Sequence, residues 1–266
     1  MKKGDSIGDR MKEQYENRTR AYLPRRTYTI IRVDGKAFHT LTKGFDKPFD
    51  KDLMSIMDLV AETMCEEIQG ARLAYVQSDE ISILMTDFET PQTEAWFNGN
   101  IQKIVSISAA IATAKFNDAT LDGFLNGGMK KFEPKDLALF DSRVFTISDP
   151  VEVENYFIWR QQDATRNSIQ MAARALYSHQ ECENKNTSEL QEMCFQKGVN
   201  WNDYSAREKR GGLVMRRKTG EVIDTDPPFE KTAWMADGAP IFTQERQKLR
   251  DLIPRITEES IDGEKK

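Results

Sequence analysis

Histidine and cysteine are scarce: two and three among 266 residues. His39 and His179 are too few for a histidine-rich hydrolase or a Cys/His zinc site. Cys65, Cys182 and Cys194 form no C-x-x-C pair, and their odd number without an export signal predicts reduced thiols in a cytosol. No apolar run approaches the ~18 residues of a membrane helix. Met1-Lys2-Lys3-Gly4-Asp5 lacks the apolar core of a signal peptide. These absences predict a cytoplasmic chain with no membrane partner. There is no G-x-x-x-x-G-K-S/T and no G-x-G-x-x-G, which disfavours the two common phosphate-loop folds. Internal repeats and low-complexity linkers are also absent.

What is present is charge, at 30% of residues, beside 39% hydrophobic residues and a formal net charge of −5. That composition describes a globular chain, long enough for one large domain or one domain with an appended half. The acidity is uneven. Residues 1–26 hold eight Lys/Arg, Arg25 and Arg26 among them, against four acids, leaving +4 there and −9 on the remainder. A second basic stretch contains Arg207, Lys209, Arg210, Arg216, Arg217 and Lys218, with Glu208 the one acid among them. Such local surfaces on an acidic body suit a polyanion held in one place, or simply solvated charge.

Thr27–Val33 is β-rich and runs into Asp34-Gly35, a turn signal. Residues 50–69 carry Leu53, Ile56, Met57, Val60, Met64 and Ile68 at helical spacing, with Gly70 beyond. Arg72–Gln77 and Ile81–Thr86 read as strands joined through Ser78-Asp79-Glu80, a tight hairpin. After Pro91 a stripe of Phe97, Ile101, Ile104, Val105, Ser108 and Ala112 predicts a second helix. A loop with Gly127-Gly128 and Pro134 leads to a strand at Arg143–Ile147. Helices are expected over 150–181 and 187–196, and a short strand at Leu213–Arg216 turning at Thr219-Gly220. Pro227-Pro228 is expected to end the ordered core. The order βαββαβ is that of an α+β, ferredoxin-like double split-βαβ, with strands in the spatial order 4-1-3-2 and C-terminal helices and short strands appended. The expected division is 1–148 for a basic N-terminal helix plus this sheet, 149–256 for a helical half packed on it, and 257–266 for a mobile tail.

In that arrangement strands 1 and 3 are antiparallel neighbours about 4.8 Å apart. Asp34, at the end of strand 1, then meets Asp79, in the hairpin before strand 3, at one rim of the sheet. Carboxylates that close are stable together if they share a proton, splay into water or meet a cation. Hard oxygen ligands with open positions suit Mg²⁺, and two Mg²⁺ ions on two aspartates form the clamp of in-line phosphoryl or nucleotidyl transfer. The Gly35 carbonyl can add an oxygen. Gly35-Lys36-Ala37-Phe38-His39 leaves the strand with backbone N–H groups free to cradle a triphosphate. Arg32 shares a face with Asp34, and Lys47 and Ser78 are within reach of phosphate oxygens. Read singly, D-G after a strand and S-D-E in a hairpin are also ordinary turn chemistry. His39 fits either a base or phosphate contact or a half-buried polar site. Trp96, Phe97, Trp159 and Trp201 are of a kind more often core than nucleobase platform, and no site is assigned to them.

R-V-D-G-K-A-F-H (32–39) followed by Y-V-Q-S-D-E-I-S (75–82) resembles the tRNA-histidine guanylyltransferase family, whose members add nucleotides to tRNA in the 3′-to-5′ direction. Further matches are Lys47-Pro48, Trp96-Phe97, Phe140-Asp141-Ser142-Arg143, Trp159-Arg160-Gln161-Gln162-Asp163 and Lys209-Arg210-Gly211. The resemblance covers about residues 10–217. It implies a palm like that of polymerases and nucleotide cyclases. Asp34, the Gly35 carbonyl and Asp79 match the family's metal ligands, Glu80 its adjacent catalytic acid, 34–39 with Ser78-Asp79 its nucleotide-binding positions, and Lys47 a triphosphate-contacting lysine. It also implies a homotetramer. Members that add guanosine to histidine tRNA carry H-I-N-N after the W-R-Q-x-D motif. Here that run is Thr165-Arg166-Asn167-Ser168, keeping Asn167 alone, as in the guanylyltransferase-like branch that repairs truncated tRNA 5′ ends against a template.

The expected function is Mg²⁺-dependent nucleotidyl transfer to a tRNA 5′ end, with ATP or GTP as activating co-substrate. Arg25, Arg26, Asn167, Lys209, Arg210, Arg216 and Arg217 are the expected RNA contacts. Guanosine addition to histidine tRNA, or a cyclase-like palm acting on free nucleotides, are the alternatives.

Overall fold

The computed structural model describes residues 6–127, 137–223, 225 and 228–257. Gly128, Pro134, Pro227 and the expected tail from residue 258 lie outside them. The described chain opens with an exposed helical run. Here α1 (Ile7–Met11) is capped by the Ser6 hydroxyl and continues through a π-turn, Lys12–Glu16, and a 3-10 turn, Asn17–Thr19. Then come β1 (Tyr28–Gly35), α2 (Phe38–Leu41), α3 (Lys51–Glu67), β2 (Ala71–Gln77), β3 (Glu80–Met85), α4 (Ile101–Leu125) and β4 (Phe140–Ile147). The second half supplies α5 (Pro150–Arg174), α6 (His179–Cys182), α7 (Thr187–Gln196), α8 (Ala206–Arg210), β5 (Gly212–Ile223), β6 (Phe229–Gly238) and α9 (Arg246–Leu252).

All six strands form one antiparallel sheet in the order β4-β1-β3-β2-β5-β6. The expected 4-1-3-2 palm is present, and β5 and β6 lengthen it beyond β2. β1 is apolar on both faces because both are covered. Ile31 and Val33 pack with Ile56, Val60 and Met64 of α3 and Ile104 and Phe116 of α4. Tyr28 and Ile30 pack with Phe157 of α5 and with Phe242, Leu249 and Ile253. Each fully buried side chain of this size contributes about 1.5–3 kcal/mol. The core therefore continues past Pro228 instead of ending there, because β6, α9 and the segment between them bring Trp234, Phe242 and Leu249 into it, with Ile253 at the end of α9.

Local chemistry sets the helix starts. Asp50 caps α3 by accepting the Leu53 N–H at 3.0 Å, Asn100 caps α4, and Asp149 caps α5 with Pro150 in the first turn. Gly70 has φ +84°, and a Cβ there would meet the Thr86 carbonyl oxygen at 2.3 Å, so a side chain is excluded.

Several boundaries differ from expectation. Asp34-Gly35 is not a turn: Asp34 pairs with Glu80 and Asp141, and Gly35 with Phe140, so ladder pairing carries β1 to the rim. The helix expected over 150–181 stops at Arg174, because Ser178 and Glu181 form a capping box that starts α6 afresh. Phe97 belongs to a left-handed turn (φ 49°), and the second helix begins only at Ile101. Thr219-Gly220 marks an irregularity inside β5 rather than its end. Cys65, Cys182 and Cys194 are free thiols. Among the described residues no helix is long and apolar enough to cross a membrane.

Candidate active site

Asp34 and Asp79 are joined through the backbone. The Gly35 N–H donates to the Asp79 carbonyl at 3.1 Å, closing the rim between β1 and the β2–β3 turn. That turn has two residues, Ser78 and Asp79, since Gln77 and Glu80 already pair. Residues directly opposite in a sheet share a face. Asp141, Asp34 and Glu80 therefore form one acidic row facing α5. Two residues further from the rim lies a second row, Arg143, Arg32 and Ser82. Arg143 lies 3.2 Å from Asp141 and 3.9 Å from Asp34, and the Arg32 Nε lies 3.9 Å from Glu80.

Burial raises the Asp79 carboxyl above the usual range, and the Asp34 charge adds to it, while a Ser78 hydrogen bond and His39 act the other way. Two residues beside it adopt left-handed backbone without being glycine, Ala37 (φ 55°) and Ser78 (φ 49°). Such strain persists only where the surroundings over-determine it. Gly35 is needed for room: a Cβ there would sit 2.3 Å from the buried Phe38 ring.

Two cavities flank the Ser78-Asp79 turn. One, about 380 Å³, runs from Asp34, Ser78, Asp79 and Glu80 past Phe49, Leu53 and Met54 to Asn167, Arg174 and Arg207. The other, about 330 Å³, is lined by Gly35, Ala37, Phe38, His39, Lys47, Ser78 and Asp79. Asp50 lines both and is buried; beyond capping α3 it accepts the Asp46 N–H at 3.0 Å, which shapes the loop carrying Lys47.

The expected phosphate cradle is narrower than the sequence suggested. The Gly35 and Lys36 N–H groups are spent on the Asp79 and Leu139 carbonyls, so any cradle starts at Ala37 and the first turn of α2. Lys36 is exposed and lines neither cavity. Arg32 does not reach them either; it turns toward Glu80. His39 is exposed and faces the second cavity. Glu80 is not a free acid beside the aspartates, because Arg160 grips both its oxygens, at 2.8 and 3.0 Å.

The expected RNA contacts do not form one surface. Arg25 binds Asp87 and the Thr93 carbonyl, both at 2.5 Å, and the Arg26 N–H binds Asp87, at the end of the sheet opposite Asp34. Lys209 donates to the Asn202 carbonyl and lies over the Trp201 ring; Arg210 has a buried Nε. Arg216 lies over Trp234 on the α3 face, and Arg217 pairs with Asp237 on the other, because neighbours on a strand point to opposite faces. Asn167 alone lines the larger cavity. Sequence reading passed over Asp50, Arg143, Arg160 and Asp163 as site residues. A signal existed for each: Asp50 stands just before the α3 stripe, and Arg143, Arg160 and Asp163 lie in motifs used only for resemblance.

The donors at the rim are two carboxylates and a backbone carbonyl, all hard oxygens. No cluster of three or more His, Cys, Asp or Glu ligands occurs among the described residues. That set does not make a closed protein cage. It fits Mg²⁺, which binds through one or two carboxylates and completes its octahedron with water and substrate phosphates.

Fold and site together define a palm-type nucleotidyltransferase. A family model described as tRNAHis guanylyltransferase matches residues 8–148. The chain belongs to that family. It is 39% identical to a bacterial tRNA(His) guanylyltransferase (Thg1)-like protein in complex with ATP, over 95% of this chain and 100% of that one, with a TM-score of 0.81. A like structure in complex with GTP is 40% identical over 94% and 99%, with a TM-score of 0.76. The tRNA(His) guanylyltransferase of Debaryomyces hansenii is 28% identical over 71% of this chain and 74% of its own length.

Proposed function

We propose that this chain is a Mg²⁺-dependent RNA nucleotidyltransferase that extends tRNA 5′ ends in the 3′-to-5′ direction, repairing truncated ends against a template. The carrying observation is the Asp34–Gly35 rim closed on the Ser78-Asp79 turn, with a cavity on either side. Asp34, Asp79 and the Gly35 carbonyl are the residues that would hold Mg²⁺. The ion supplies charge neutralisation on phosphate oxygens and a lowered pKa for the attacking group. Lys47, Ser78, His39 and the first turn of α2 bind the triphosphate from the smaller cavity. The larger cavity, with apolar Phe49, Leu53 and Met54 opposite Asn167 and Arg174, takes the RNA end.

The reaction has two in-line displacements. In the first, a 5′-monophosphate oxygen of the RNA attacks the α-phosphorus of ATP or GTP; with ATP this gives a 5′-adenylylated end and pyrophosphate. In the second, the 3′-hydroxyl of the incoming nucleoside triphosphate attacks that 5′ phosphorus and expels AMP. Here the chain's own work is alignment and charge balance at the rim. The complexes with ATP and with GTP in related bacterial proteins support the nucleotide half of the reading. The Thr165-Arg166-Asn167-Ser168 run supports the repair half. A homotetramer belongs to the same reading, and sedimentation equilibrium tests it.

The deciding experiment incubates the protein with a tRNA lacking its first 5′ nucleotide, Mg²⁺, ATP and one labelled nucleoside triphosphate at a time. Label incorporated only from the nucleotide complementary to the template is expected. Guanosine incorporation regardless of template would replace repair with guanosine addition. Conversion of free nucleotide without RNA would replace both.

A further inference from the structure

Glu80 is the residue whose surroundings the reaction above does not use. It follows Asp79 directly and pairs across the sheet with Asp34, yet both of its carboxylate oxygens are taken by one arginine. The Arg160 Nε donates to Oε1 at 2.8 Å and Nη2 to Oε2 at 3.0 Å. Gln77 and Ser82 approach Oε1 at 3.3 and 3.5 Å, and Arg32 lies 3.9 Å from Oε2. The pair is secluded, with side-chain exposures of 6% for Arg160 and 12% for Glu80.

Arg160 is itself fixed from three sides. Beyond the fork on Glu80 it donates to Asp163 Oδ2 at 3.1 Å, and its guanidinium lies 4.4 Å from the centre of the Trp159 ring. Asp163 takes Arg166 on its other oxygen. Two neighbours in the Trp159-Arg160-Gln161-Gln162-Asp163 stretch, Trp159 and Asp163, thus converge on the Arg160 guanidinium. Gln161 locks the helix further, donating to the Pro240 carbonyl at 2.7 Å and accepting the Phe242 N–H at 2.8 Å.

We infer that Arg160 and Glu80 act as a unit that positions Asp79, and that Glu80 does not hold a metal. A two-residue turn with Ser78 at φ 49° is strained, and it stays bent because both flanks are pinned. One flank is the β2 ladder; the other is Glu80, clamped to a long helix by a bidentate fork. A fork fixes direction as well as distance, which a lysine's single ammonium does not. The clamp also spends the Glu80 charge on Arg160, so a third carboxylate does not compete for the cation at the rim.

This inference rests on the proposed nucleotidyl transfer, and the experiment separates the two. Mn²⁺ binding with α,β-methylene ATP is read by electron paramagnetic resonance, beside incorporation on the truncated tRNA. For Glu80→Gln and Arg160→Lys we expect Mn²⁺ affinity and KM for the nucleotide within about twofold of wild type, with kcat falling roughly 10–100-fold, as for residues acting through a ligand. Asp79→Asn should weaken Mn²⁺ binding itself by about tenfold or more. Glu80→Gln with Arg160→Gln should be no worse than the poorer single variant, since both remove one device. The neutral double variant also keeps the test open where Arg160→Gln alone fails to fold. Loss of Mn²⁺ binding in Glu80→Gln comparable to that in Asp79→Asn would overturn the inference, as would additive losses in the double variant. A wild-type protein that binds Mn²⁺ with the analogue but incorporates nothing would remove the proposed function instead.

Discussion

Gly35→Ala tests the steric logic of the rim. The backbone at Gly35 is ordinary strand, so the substitution carries no conformational penalty and its cost is contact alone. The new Cβ would lie 2.3, 2.5 and 2.8 Å from three ring carbons of Phe38. Carbon pairs prefer about 3.5–4.0 Å, so the ring must retreat by roughly 1 Å. Behind it are Phe116 and Phe140, edge-on at 5.2 and 5.1 Å between centroids, and all three rings are buried. There is no space to yield into, and overpacking of this kind costs about 1–3 kcal/mol. For a chain of this size the midpoint should fall by about 2–6 °C in a thermal melt followed by circular dichroism. Phe38→Leu removes the clashing ring edge, so the pair Gly35→Ala/Phe38→Leu should melt above the sum of the two single losses. A Gly35→Ala melt within about 1 °C of wild type would refute the packing argument.

Three further outcomes follow from the same geometry. Burial, with Asp34 beside it, makes native Asp79 hold its proton more tightly than the unfolded chain does, so its ionised form costs stability above the folded pKa and the loss is recovered as pH falls through it. Asp79→Asn should therefore melt higher than wild type in metal-free buffer at pH 7, with the gain shrinking on acidification and incorporation abolished; a lower neutral melt contradicts this. Arg207 forks onto Asp58 at 2.7 and 3.0 Å, tying α8 to α3, and Arg207→Met should cost about 1.5–3 kcal/mol in urea unfolding, against no change if the pair is idle. Arg216 and Arg217 point to opposite faces, so one RNA body meets at most one of them; a single substitution at that one should lower the salt slope of tRNA binding by about 1, and equal effects from both would contradict the split.

Much of the palm was legible because its signals are local. The α3 stripe, the β-rich TYTIIRV segment and the tight S-D-E hairpin each declare an element within a few residues, and right-handed crossover geometry then leaves few strand orders. Helix capping was legible in kind, though the Ser178-Glu181 box went unread and the helix beginning at Pro150 was made too long. The basic stretch 207–218 misled, since a run in sequence becomes scattered directions once it passes from α8 into β5. The end of the core was misplaced because Trp234, Phe242 and Leu249 show no strong period of their own and are buried only by packing onto the sheet, Trp234 on the α3 face and Phe242 and Leu249 on the α5 face.

The residue order by itself determined that Asp34 and Asp79 would end at one rim, since strand period and turn length are properties of neighbouring residues. Only the tertiary structure decided what surrounds them. Arg160 reaches Glu80 across 80 positions, β5 settles beside β2, and Gly35 is held beneath the Phe38 ring. Those outcomes depend on which distant surfaces exclude water together, and no local pattern encodes that choice.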